Sequence, residues 1–168
     1  LDGHNGNGQG FLYAQKIGIN GVGQWTAGGV AVSTPAIWSV FEIGLVNDGS
    51  GGAIFTWYDQ RNFPVTNNDI YAQRVDGNGN ILWGASGLVV CNAASYQKYP
   101  QIVSDGGGGA YITWQDERNG NKDIFAQRID SNGNALWTAN GLAICTEGTA
   151  QELPQITSDI LGAYIAWK

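Results

Sequence analysis

This chain of 168 residues has one histidine and two cysteines. With His4 as the single imidazole, a histidine-based metal centre, a Ser-His-Asp triad and a Cys-His pair drop out as readings. Charge is scarce as well. Charged residues make up 13% of the chain, 8 basic against 14 acidic, for a net charge of −6. An acidic chain repels phosphate backbones, which argues against a nucleic-acid partner. No apolar run reaches the roughly 20 residues of a membrane-spanning helix. No segment carries a 3.6-residue apolar period either, so almost no helix is predicted.

What is abundant is glycine, 26 residues, roughly twice the usual share. It has no collagen-like period, so the glycines read as turns between many short strands. With 43% hydrophobic residues the composition is that of a globular domain. Abundant Asn, Gly, Thr and Trp with little charge point to an extracellular or cell-surface protein. The cysteines, Cys91 and Cys145, read as small buried hydrophobes at one position of successive repeats. A disulfide would need their Cα atoms within about 7 Å across neighbouring units.

The repeat is the dominant feature. DIYAQRVDGNGNILWGASGLVVC from Asp69 and DIFAQRIDSNGNALWTANGLAIC from Asp123 share 15 of 23 positions without a gap. A divergent copy, LYAQKIGINGVGQWTAGGVAVS, starts at Leu12, and the marker alanines Ala14, Ala72 and Ala126 stand 58 and 54 residues apart. A second element recurs at Gly44 (GLVNDGSGGAIFTWYDQR), Gln101 (QIVSDGGGGAYITWQDER) and Gln155 (QITSDILGAYIAWK). It aligns Asp48 with Asp105 and Asp159, and Trp57 with Trp114 and Trp167.

Each unit reads as four strands, a to d. Strand a is a short apolar stretch such as Ile102-Val103 after Pro100. A Gly-rich loop leads to strand b, Ala110 to Trp114, where Ala110, Ile112 and Trp114 share one face. Strand c runs from Ile124 to Ile129, and strand d from Ala135 past Asn140-Gly141 to Cys145. Asn-Gly lies between c and d at 20–21, 78–79 and 132–133, and supplies the positive φ of a tight hairpin turn.

The fold expected is all-β: repeated four-stranded antiparallel units of β-propeller type, three blade equivalents with the terminal blade split. The divisions are a c–d half at 10–34, full units at 41–92 and 98–146, and an a–b half at 152–168. The two halves are complementary. They can pair within one chain, between two chains in a closed ring, or from chain to chain in a filament. Unpaired halves would leave bare sheet edges, which proteins avoid. The residues expected to carry such assembly are Leu12, Ala14 and Ile17 on the c side and Ile165 and Trp167 on the b side.

The strings PQIVSDGxGGAYITWQDxR and DIYAQRIDxNGNxLW resemble repeats in large secreted proteins of Bacteroidetes and related bacteria, many with C-terminal sorting domains. The resemblance covers nearly the whole chain and is weakest over residues 1–45. It implies secretion and propeller-like blades, and it implies no catalytic residue.

Little chemistry stands out from the repeat. His4 falls in a terminal loop. Asp76-Gly77-Asn78-Gly79-Asn80 and Asp130-Ser131-Asn132-Gly133-Asn134 have the alternating oxygens of a calcium loop but lack its closing Glu, and a hairpin turn accounts for every residue. No cofactor is expected, with calcium at those turns the one alternative. Asp59-Gln60-Arg61 and Asp116-Glu117-Arg118 follow the strand-b tryptophan. They read as ion pairs ordering the b–c loop or, with Trp38, as a polar-aromatic rim that binds a sugar. Paired carboxylates for glycoside hydrolysis are not evident among the unrepeated acids Glu42, Glu147 and Glu152. The function expected is a non-catalytic extracellular structural module that associates with itself. The alternative is a multivalent carbohydrate-binding propeller, with glycans as partners and avidity from repetition.

Overall fold

A computed structural model describes residues 9–33, 37–38 and 40–168 of the chain; the side chains of residues 9–10 and 37–38 are outside the description. His4 lies outside the described residues.

Glycine turns and β-branched or aromatic runs produce fourteen strands and, among the described residues, no helix. β1 (Gln9–Gly10), β2 (Tyr13–Ala14), β3 (Val30–Ala31) and β4 (Ile37–Trp38) make two short ladders, β1 with β4 and β2 with β3. β5 (Phe41–Asn47), β6 (Ala53–Asp59), β7 (Asp69–Val75) and β8 (Leu88–Cys91) form a four-stranded antiparallel sheet in sequence order. β9 (Gln97–Ser104), β10 (Ala110–Asp116), β11 (Asp123–Ile129) and β12 (Leu142–Cys145) repeat it. β13 (Gln155–Ser158) and β14 (Ala163–Ala166) form a hairpin matching the first two strands of a unit. No ladder among the described residues joins β14 to β2, and no sheet closes on itself.

The two full units stack face on face. Strand alternation gives each sheet two faces, and both are used. One face of the β5–β8 sheet (Phe55, Trp57, Tyr71, Val75) packs on Leu12 and Val32 of the preceding half-unit. Its other face (Ile54, Ile70, Ala72, Cys91) packs on Ala110, Ile112, Trp114 and Ile129 of the next unit. Every residue of β10 is therefore buried, whichever face it occupies. Cross-strand aromatic pairs brace the sheets: Trp57 stacks on Tyr71 at 6.0 Å and Trp114 on Phe125 at 6.5 Å.

Two local details depart from the sequence expectation. Strand a is longer than Ile102-Val103: β9 begins at Gln97 and passes through Pro100. It does so by a register shift opposite Thr113 and Gln115, with Tyr99 at φ 55°, a bulge that accommodates a residue lacking an N–H. Strand d is shorter. Ala135 makes an isolated bridge to Ile129, and the chain rejoins the sheet at Leu142 after the left-handed pair Asn140 (φ 62°) and Gly141 (φ 93°).

Candidate functional site

The Asn-Gly turns are built around an aspartate. Asp76 Oδ1 accepts the N–H groups of Asn78 and Asn80, and Gly79 donates to the Asp76 carbonyl at 3.1 Å. Asp130 does the same with Asn132 and Asn134. The glycine alone takes the positive φ, and the asparagine does not. Hydrogen bonds led by those from Asn80 and Asn134 hold the two carboxyls below the usual aspartate range. Among the described residues no three His, Cys, Asp or Glu side chains gather as a metal-ligand group.

The candidate rim residues lie at the unit junctions. Asp59 accepts the Trp57 indole N–H at 2.8 Å and is held by Arg61 through Nε and Nη2. The Arg61 guanidinium lies 3.6 Å over the Tyr71 ring. Asp116, Trp114, Arg118 and Phe125 repeat the arrangement. Both carboxylates are buried. Arg118 also donates to the Asn140 carbonyl at 2.7 Å and to Cys91 Sγ at 3.1 Å, which ties the two units together. The Cys91 thiol is pushed up to about 12, chiefly by burial. Cys91 and Cys145 are both free. The backbone of Trp38 pairs with Gln9, and its side chain lies outside the described residues.

The assembly candidates lie on or beside β2 and β14, each of which pairs with a single strand among the described residues. Leu12 is spent inside its own chain, against the β5–β8 sheet. Ala14 is half-buried, and Ile17 is 60% exposed although its counterparts Val75 and Ile129 are fully buried. Ile165 is half-buried on β14. Trp167 is 41% exposed, whereas Trp57 and Trp114 have no exposure at all.

Beside β2 lies a groove of about 380 Å³, lined among others by Ala14, Lys16, Ile43, Leu45 and Phe55. Leu45 is 63% exposed there, while its counterpart Ile102 is packed on the neighbouring unit. Sequence reasoning missed Tyr13, Leu45 and Tyr164, and took Lys16 and Asp159 only as repeat positions. The signal for them was available in the repeat columns, since each is a counterpart of a residue buried or paired in a full unit. Comparison with protein-family models, curated proteins and solved structures gives no match to this chain.

Proposed function

We propose that the chain is a non-catalytic extracellular assembly module whose units are blades of propeller type. The β2–β3 half-unit of one copy is completed by the β13–β14 half-unit of another, in a closed ring or a filament. The observation that carries this is the contrast between Trp167 and its two buried counterparts. In the full units this tryptophan is covered by the aromatic residue opposite it on strand c, Tyr71 or Phe125. Among the described residues β14 pairs with β13 alone, and on β2 the equivalent of that aromatic residue, Tyr13, is 54% exposed. Covering Trp167 alone is worth roughly 2 kcal/mol, and the backbone edge of β14 gains a hydrogen-bonding partner as well.

The buried aspartates of the Trp-x-Asp-x-Arg segments serve the units themselves, which favours a structural reading of those segments over sugar binding. Sedimentation velocity over a wide concentration range tests the proposal. It expects species larger than the 17.9-kDa monomer, shifted back towards monomer by Trp167→Ser with the fold intact. A monomer at every concentration would overturn it. Electron micrographs distinguish ring from filament.

A further inference from the structure

Each full unit contains an ion pair that joins strand c to the a–b turn. Arg74 holds Asp48 Oδ2 through Nη2 at 2.8 Å and Nε at 3.0 Å. Arg128 holds Asp105 Oδ2 through Nη2 at 2.9 Å and Nε at 3.1 Å. In both turns the other oxygen, Oδ1, accepts backbone N–H groups, from Ser50 and Gly52 in one and from Gly107 and Gly109 in the other.

The third carboxylate of this series is Asp159, and the third cation is Lys16. They sit on different half-units. Asp159 Oδ1 accepts the N–H groups of Leu161 and Gly162, as in the full units. Oδ2, the oxygen that the other two give to arginine, takes the Tyr164 hydroxyl at 2.8 Å. Lys16 Nζ donates to the Gly51 carbonyl at 2.8 Å and lines the open groove. An ammonium has three donors, so this bond leaves Lys16 able to take a carboxylate as well. Arg74 likewise serves both Asp48 and the Ser131 carbonyl of the next unit.

Resting on the self-association proposed above, we infer that Asp159 of one copy closes on Lys16 of another, with Tyr164 entering the groove between β2 and β5. The register follows from the full units. Arg128 stands opposite Tyr111 and Tyr71 opposite Trp57, so Lys16 stands opposite Tyr164 and Tyr13 opposite Trp167. The Arg128 guanidinium lies 5.2 Å from the Tyr111 ring, and Lys16 takes the same place over Tyr164. The latch gives the contact a direction. Two β2 edges would bring lysine to lysine and two β14 edges aspartate to aspartate, so only unlike edges join.

Charge reversal tests the latch on the whole chain. Lys16→Glu and Asp159→Lys each put like charges at the contact, and each alone is expected to weaken association by at least about thirtyfold. Mixed one to one, both of their unlike contacts regain opposite charges, and association is expected to return. Recovery in the mixture also shows that each variant is folded. If the wild type assembles and both single variants assemble equally well, or the mixture fails to recover, the latch is wrong while the assembly reading stands. If the wild type is monomeric throughout, the assembly reading itself fails.

Discussion

Arg118 closes on Asp116 within one unit while its guanidinium also touches Cys91 of the unit before. The same carboxylate accepts the Trp114 indole N–H, so a single buried charge orients the central tryptophan, the b–c loop and the junction. Removing it leaves a largely buried guanidinium without its counter-charge. Asp116→Ala is therefore expected to cost roughly 3 kcal/mol of unfolding free energy, read from the urea midpoint. A variant with unchanged stability would contradict the structural role and revive Asp116 as a ligand residue.

Two glycines with the same backbone separate strain from crowding. Gly120 and Gly141 both have φ 93°. A Cβ on Gly120 meets nothing within 4 Å, whereas one on Gly141 would run into the Trp114 ring. Gly120→Ala is expected to cost about 1 kcal/mol, from the left-handed conformation alone. Gly141→Ala adds overpacking and is expected to cost about 3 kcal/mol. Thermal unfolding of the two variants side by side measures the difference. Equal midpoints would show that Trp114 yields without penalty.

The repeat columns made the units legible because strand-b and strand-c residues recur nearly unchanged. Stacking of repeated units buries both faces of a sheet, but composition does not mark which polar residues it encloses: Thr113 and Gln115 are both buried. The same limit applied to Asp59-Gln60-Arg61 and Asp116-Glu117-Arg118. A polar triplet after a strand has the composition of a surface loop, and its enclosure depends on partners far along the chain, such as Ser86 and Asn140. Pro100 concealed the length of β9 because a local bulge, invisible in composition, lets the strand pass through it.

Two aspartates give opposite pH signatures. Burial raises the Asp69 carboxyl above its ordinary range, against the hydrogen bonds from Thr66 and Asn62. Its contribution to stability is present below the unfolded value of about 3.9 and is lost as pH rises through the folded value. At Asp105 burial also opposes ionisation, but the hydrogen bonds from Gly107, Arg128 and Gly109 outweigh it and the carboxyl is lowered. Its contribution is present above about 3.9 and is lost as pH falls through the folded value. Asp69→Asn keeps an oxygen for Thr66 and Asn62, so it is expected to gain on the wild type between about pH 3.5 and 7. Asp105→Asn is expected to lose ground on the wild type as pH rises from about 2 towards 4, and to stay behind it by a constant amount above about pH 5. Urea midpoints measured against pH check both signs, and parallel curves for either variant would refute its assignment.

On the proposed assembly, the tryptophans of the c–d loops separate folding from association. Trp25 donates its indole N–H to the Gly77 carbonyl of the following unit at 3.1 Å, and Trp83 donates to the Ser131 carbonyl at 3.2 Å. In each case the ring also lies against the glycine of that turn, Gly79 or Gly133. Trp137 is the third of the series. It is half-buried and lies 5.8 Å from the Tyr111 ring, and the turn it would reach is the one at Ile19 and Gly21 of a second copy. Trp83→Phe is expected to lose a buried hydrogen bond and about 1 kcal/mol of folding stability. Trp137→Phe is expected to leave the unfolding curve of the monomer within about 0.5 kcal/mol of wild type while weakening association several-fold. Chemical denaturation at low concentration and sedimentation at high concentration measure the two effects separately. Equal loss of folding stability in both variants would place Trp137 inside the fold of one chain and remove it from the contact between copies.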